Sequence, residues 1–471
     1  MIFRPRHAGL PLGLLLAALC AAGIAAQAPL PVRGQGPAPG RQGQAPQALP
    51  TTPVAAPLAS ISPAVSGPGE MFSALMSLPA GDDLAHFKYV STEYFVTGTA
   101  NNAPYKTRVV VRKPADNSRF SGIVLAESMH PSGNAWMFHF THTYTMTSGH
   151  IGVEIVTSDP AQFVEFNQAR YQDLRVQPGQ ANDILAQVGA MLRSNQAANP
   201  LNGLRMRKMI LAGTSASAGV LINYLPAHMV YRLTDMKPIY DGFLPTSNGT
   251  NIRQVDVPMI QVPTTTEASR GNVPSRQDGD RPGDQFRVYE FPGMPHLDTR
   301  DVDAFRPNPC KNPITLWPMS AYMSVAFHHL AEWVDKGTVP PRADRILVDR
   351  NTANDGSLIA LDERGNPRGG IRNPYVDVPV AKYGFPNEGA VPPTPNTVPW
   401  VSRRTAEGID DLCHLTGFQI AMTAPELKKL YGTKEQYVAK VRERVDELTR
   451  QGWSLPVYRN QILADAAKVT F

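Results

Sequence analysis

This 471-residue chain has little charge, few cysteines, no internal repeat and no long uninterrupted apolar run. Its formal net charge of +5 is too small and too dispersed to imply a nucleic-acid partner. The apolar stretch from Leu10 to Ala26 is short for a membrane span and carries Pro11, which argues against a retained anchor. Residues 27–68 hold ten prolines but no acidic and no aromatic residue. Such a segment cannot bury enough apolar surface to offset chain entropy, so it is expected to be a disordered tether.

What is present at the N-terminus is the layout of an export signal. Arg4, Arg6 and His7 precede the apolar run, which ends in small residues suited to cleavage near Ala26 or Ala28. A signal peptide over 1–26 predicts an exported protein, periplasmic or secreted, with no stable membrane span after cleavage. Leu19 is too bulky to precede a lipidated Cys20. Cys310 and Cys413 then remain, and an oxidising compartment allows a disulfide between them; the alternative is two buried free thiols.

Beyond the tether the pattern is that of an α/β protein. Tyr89 to Gly98 and Lys106 to Arg112 read as strands flanking a turn at Asn101-Asn102. Gly122–Glu127 and Ile151–Thr157 are compact apolar runs, the texture of buried parallel strands. Asn182-Asp183 can cap a helix with Ile184, Leu185, Val188, Met191 and Leu192 on one face. Val257 to Val262 and Gln285 to Phe291 are further strands, and a helix through Tyr322, Val325, His329 and Trp333 stops at Gly337. Alternating strands and helices predict a mostly parallel central sheet flanked by helices, over 69–345. Residues 346–471 read as a C-terminal extension packed on that core. It contains a proline-rich connector at 386–400 and a helix with Tyr437, Val441, Val445 and Leu448 on one stripe.

The chemistry centres on 207–219. The apolar run Met209 to Ala212 breaks at Gly213 into small residues before a helix-compatible segment, the layout of a nucleophile elbow. Ser215 is the favoured nucleophile because Gly213 sits where the strand ends; Ser217, flanked by Ser215 and Gly219, is the alternative. A serine hydroxyl needs a histidine to take its proton and a carboxylate to orient that histidine. In the α/β-hydrolase fold, where such an elbow carries the nucleophile, the chain order is serine, acid, histidine. Glu267 lies just beyond one strand and His296 on the loop after the next, so both fall at strand carboxyl ends, where catalytic groups gather. Asp278, Asp280 and Asp284 are the competing acids.

A tetrahedral intermediate needs backbone donors for its oxyanion. Ala216 at the start of the elbow helix is one. The second is expected from the 128–133 loop, where Pro131 has no N–H and Met129, His130 or Ser132 must donate; His130 is the candidate carried forward. His139 and His142 have a ligand-like spacing, but no carboxylate motif accompanies them, so no metal and no cofactor is expected. Trp136, Phe138 and Phe140 suit either an acyl pocket or the core.

Several segments together resemble a bacterial, often exported branch of the α/β-hydrolases, usually described as α/β-hydrolase domain-containing proteins. They are Glu93–Gly98, Arg170–Leu174 followed by Asn182–Ile184, the Gly213–Ser217 elbow and Glu267 at a strand end. Further along come Phe291–Asp298, Trp333–Gly337 and the distinctive Gly369–Pro379 run. The resemblance implies a triad of Ser215, Glu267 and His296, and favours Glu267 over the later aspartates. Similar proteins often carry glutamine where this chain has Ala216, and asparagine where it has His130. The expectation is an exported hydrolase of small-molecule carboxylic esters acting through an acyl-enzyme. Peptidase or acyltransferase chemistry on the same triad, or an inactive envelope binding protein, are the alternatives. The extension carrying Arg372 is expected to roof the pocket.

Overall fold

The computed structural model describes residues 49–300, 308–349, 357–390 and 412–471. The expected signal peptide, the tether up to residue 48 and the connector from 391 to 400 lie outside the described residues.

Ten strands form the main sheet. They are β1 (Ser60–Ile61), β2 (Tyr89–Ala100), β3 (Ala103–Pro114), β4 (Ile123–Ser128), β5 (Ile151–Ile155), β6 (Lys208–Thr214), β7 (Gly242–Thr246), β8 (Met259–Gln261), β9 (Gly279–Arg281) and β10 (Asp284–Val288). Their spatial order is β9-β10-β8-β7-β6-β4-β5-β3-β2-β1. Strands β5, β4, β6, β7, β8 and β10 run parallel, and the two edges are antiparallel. The β2–β3 hairpin turns on Asn101 and Asn102, at φ 48° and 59°, the positive pair that a two-residue turn requires.

The period-2 alternation of each parallel strand feeds two cores. Val124, Ala126, Met209, Leu211, Phe243 and Met259 pack on one face. Helices α2 (Ala181–Leu192) and α3 (Ala216–His228) cover them with Ile184, Leu185, Val188, Leu221 and Leu225. The intervening Ile123, Leu125, Ile210, Ala212, Leu244 and Ile260 face α1 (Trp136–Thr147) and α5 (Met319–Lys336). Each fully buried side chain of this size contributes about 1.5–3 kcal/mol relative to exposure. Helix α5 ends where Gly337 adopts φ 71°. The C-terminal helices α7 (Lys434–Arg450) and α8 (Arg459–Lys468), preceded by α6 (Ala424–Tyr431), enter the second core through Tyr437, Val441, Val445 and Ile462. Among the described residues no helix is long and apolar enough to cross a membrane.

A buried ionic cluster accounts for two of the sequence segments singled out above, Glu93–Gly98 and Arg170–Leu174, and a separate pair of hydrogen bonds for a third. Glu93 on β2 accepts from Arg108, from Arg170 Nε at 2.7 Å and from Tyr171 Oη at 2.8 Å. Arg108 and Arg112 also reach Glu154 of β5. Asp183 accepts from the Asn101 amide at 2.8 Å and from Tyr231 Oη at 2.9 Å, tying α2 to the hairpin turn.

Several expectations change. Residues 49–68, read as tether, are packed on the domain. Val54–Ala55 pairs in parallel with Tyr231–Arg232, β1 extends the sheet beside β2, and Ala56 and Ala59 are buried. Backbone pairing to existing edges needs little apolar surface, so composition misjudged this stretch. Helix α2 starts at Ala181, and Asp183 serves in its first turn rather than as its cap. Strand β7, interrupted by Pro245, and helices α6 and α8 have no counterpart in the pattern reading.

Candidate active site

Strand β6 ends at Thr214 and α3 begins at Ala216, so Ser215 alone makes the turn. It sits at φ 52°, ψ −119°, a conformation costing a non-glycine residue on the order of 1–3 kcal/mol. Its neighbours hold it there. The Ser215 amide donates to the Thr246 carbonyl of β7 at 3.0 Å. Ser217 Oγ accepts from the Thr214 amide and donates to the Thr214 carbonyl, each at 2.9 Å. A Cβ on Gly213 would lie 2.5 Å from the Ser217 carbonyl oxygen, so only glycine fits. Ser217 is buried and braces the turn, while Ser215 presents its hydroxyl to His296.

His296 Nε2 lies 2.9 Å from Ser215 Oγ, and Nδ1 lies 2.6 Å from Glu267 Oε1. Glu267 belongs to the short helix α4 (Thr265–Ser269). Its Oε2 accepts from the Thr264 amide at 2.7 Å and from Thr264 Oγ1 at 2.6 Å, the reciprocal arm of a capping box. One carboxylate oxygen therefore secures the helix and the other secures the imidazole. Burial pushes the Glu267 carboxyl up, but His296 and the Thr264 hydrogen bonds outweigh it and hold the group below the ordinary carboxylate range. An ionised Glu267 accepts only, so His296 carries its proton on Nδ1 and offers Nε2 to the Ser215 hydroxyl.

The histidine loop is stitched to α4 and to the C-terminal extension. Thr265 Oγ1 accepts from the Gly293 amide at 3.0 Å, and Thr266 Oγ1 from the His296 amide at 3.1 Å. The Leu415 carbonyl accepts from the amides of His296 and Leu297 at 3.1 and 3.2 Å. Two residues before Leu415, Cys413 is disulfide-bonded to Cys310. None of Thr265, Thr266 and Leu415 was singled out from sequence; only the Thr264–Glu267 capping-box spacing was there to be read. The competing acids are engaged elsewhere: Asp278 with Arg345, Asp280 with Arg287 and Arg342, Asp284 with Arg276.

The Ala216 amide is the first of α3, among the donors that have no carbonyl within the helix. The second expected donor differs from expectation. The His130 amide donates to the Asn134 carbonyl at 3.0 Å, and the Met129 amide to Ile155 at 2.8 Å. The Ser132 amide points at His130 Nδ1, at 3.0 Å. The loop folds back on itself, and each of the three candidate amides already has a partner. Burial, reinforced by His296, pushes the His130 imidazole down to about 3, so it is neutral near pH 7.

His139 and His142 lie buried on α1, with His142 Nδ1 2.6 Å from the His139 carbonyl. Among the described residues no group of three or more histidines, cysteines or acids could hold a metal ion. Trp136, Phe138 and Phe140 are buried in core clusters. The Gly369–Pro379 run of the extension props the segment leading to His296. The Ile371 amide donates to the Glu290 carbonyl at 2.7 Å and Asn373 Nδ2 to the Pro292 carbonyl at 2.9 Å. Gly370, at φ 68°, leaves no room for a Cβ, which would lie 2.7 Å from the Glu290 carbonyl. Arg372 turns inward to Asp377 and to the Pro367 and Val376 carbonyls.

The parallel sheet, the strained serine at a strand end and the two partners beyond the ends of successive strands define a hydrolase of the α/β class. Residues 51–464 match the α/β hydrolase domain family, and the chain belongs to it. Among solved structures it is similar to a cold-adapted esterase from an Arctic intertidal metagenomic library, at 9% identity over 42% of this chain and 84% of that one, TM-score 0.24. It is similar to the esterase Est22 at 11% identity over 39% of this chain and 67% of that one, TM-score 0.27. Similarity to LpqC, a poly(3-hydroxybutyrate) depolymerase from Bordetella parapertussis, is 12% over 55% of this chain and 92% of that one, TM-score 0.30. Likeness at that level adds nothing to the assignment, which rests on the domain match. No curated protein sequence matches the chain.

Proposed function

We propose that the protein is an exported serine hydrolase that cleaves small-molecule carboxylic esters. The observation that carries this reading is the continuous Ser215–His296–Glu267 hydrogen-bond relay behind a strained serine. Ser215 Oγ adds to the ester carbonyl carbon as its proton passes to His296 Nε2, and Glu267 stabilises the resulting imidazolium. The Ala216 amide, at the positive end of α3, donates to the oxyanion. Collapse expels the alcohol, which takes the proton from His296; water then repeats the sequence and releases the acid. The chemistry uses side chains, backbone and water alone. Export is supported by the N-terminal signal pattern and by the Cys310–Cys413 disulfide, a bond that persists in oxidising compartments.

The test is turnover of p-nitrophenyl esters of graded acyl length beside the matching anilides, with and without added alcohol. Ester hydrolysis that falls at least about 10³-fold in Ser215→Ala is expected. Preferred cleavage of anilides, or transfer to the alcohol, would assign peptidase or acyltransferase chemistry to the same relay. A folded wild type that turns over nothing would point to an envelope binding protein.

A further inference from the structure

We infer that the His130 side chain, through its Nε2–H, is the second donor to the oxyanion, facing the Ala216 amide across the reacting carbonyl oxygen. This deepens the ester-hydrolase reading and rests on it.

The loop after β4 is where a second donor should arise, and the backbone amides of residues 129–133 are already engaged. The amides of Met129, His130, Ser132 and Gly133 all donate within the protein, and Pro131 has none. The imidazole is differently placed. A backbone N–H can only donate, so the Ser132 amide aimed at Nδ1 requires a lone pair on that nitrogen. Ser132 Oγ lies 2.7 Å from the same nitrogen, accepts from Trp136 Nε1–H at 3.2 Å and donates to Asn134 Oδ1 at 3.1 Å, so it is the Ser132 amide that fixes Nδ1 as acceptor. With Nδ1 held as acceptor and the ring neutral, the proton must sit on Nε2.

Position follows from the sheet. Strands β4 and β6 are neighbours in parallel register, with Glu127 opposite Ala212. His130 stands three residues past the one and Ser215 three past the other, so the two leave adjacent strands at the same level. His296 adds electrostatically to the lowering of the His130 basicity that burial causes. A neutral donor suits this setting. When Ser215 adds to the carbonyl, the π pair moves to oxygen and the hydroxyl proton moves to His296, which becomes positive. An uncharged His130 donates to the new oxyanion without opposing that charge. Its depressed basicity also prevents it from competing for the Ser215 proton. The Ser132 amide therefore sets the tautomer, which makes Ser132 a positioning residue and His130 a catalytic one.

The test combines His130→Ala and His130→Gln with a measurement on the wild type. Removal of one oxyanion donor lowers kcat by about 10²–10³-fold. His130→Ala should show that loss on p-nitrophenyl acetate with KM within about threefold, and His130→Gln should recover part of it through its amide N–H. Nitrogen-15 spectra of wild-type histidines should show His130 protonated at Nε2 and bare at Nδ1 from neutral to alkaline pH, with the Nε2–H signal moving downfield in a covalent phosphonate adduct. Undiminished kcat in a folded variant, a loss confined to KM, or an Nδ1–H tautomer would overturn this inference while leaving the esterase reading intact. A wild type that neither turns over esters nor forms the adduct would overturn both.

Discussion

Two serines two residues apart divide the work of the elbow. Ser217 gives both its hydrogen bonds to Thr214 and keeps the turn closed; Ser215 takes the strained backbone and faces His296. Ser217→Ala leaves the buried Thr214 amide without its partner, which costs about 1–3 kcal/mol. That loss should appear as a lower urea midpoint in a variant that still reacts at Ser215; an unchanged midpoint would deny Ser217 its bracing role. Glu267 also has two roles, and two substitutions separate them. Glu267→Gln keeps an oxygen for the Thr264 cap but loses the charge, so kcat should fall by roughly 10³–10⁴-fold with little change in stability. Glu267→Ala should add a stability loss of about 1 kcal/mol from the missing cap contact. Equal melting temperatures for the two variants would contradict the shared carboxylate. At this scale the sequence pointed to Ser215, Glu267 and His296, which the structure brings together. It left Ser217 open because small residues flank either serine. It could not show that the His130 amide is engaged, since that depends on where the Asn134 carbonyl points.

At the scale of elements, the histidine loop is held from three sides: by the threonines of α4, by the Gly369–Asn373 run and by Leu415. The Cys310–Cys413 bridge closes a loop with a sequence separation of 103 and ends two residues before the Leu415 carbonyl that accepts from His296 and Leu297. Replacing both cysteines with serine should cost about 2–4 kcal/mol of stability. It should also lower kcat, since a displaced loop takes His296 from Ser215; full kcat in a folded double variant would show that the strap does not position the histidine. The strands that carry the site were legible because residues buried on both faces read as unbroken apolar runs. Strand β7, which supplies Thr246, was not, because Pro245 inside a five-residue strand carries a turn signal.

Across the whole molecule, burial holds several histidines neutral. It pushes His139 and His150 down to about 3 and His329 down to about 4, with neighbouring charges and imidazoles contributing less. Their folded values lie below the unfolded one, so the stability they contribute is complete above about pH 6.5 and is lost as pH falls toward 3. Each such group removes about 1.4 kcal/mol per pH unit while it is charged only in the unfolded chain. The urea midpoint should therefore drop between pH 7 and pH 5; a flat profile would contradict burial of these rings. The extension is part of the same body, since Tyr437, Val441 and Ile462 share a core with Tyr322 and Val325. Sequence showed the apolar stripe of α7 but not its destination, because a stripe does not name the surface it meets.

The central claim is that Ser215 is the activated nucleophile of a Ser–His–Glu relay. Its most direct test is labelling of the purified protein with a fluorophosphonate probe, mapping the modified residue by mass spectrometry in wild type, Ser215→Ala and Ser217→Ala. The account predicts a single adduct on Ser215, absent from Ser215→Ala and present in Ser217→Ala. An adduct on Ser217, or no adduct on a folded wild type, would contradict it.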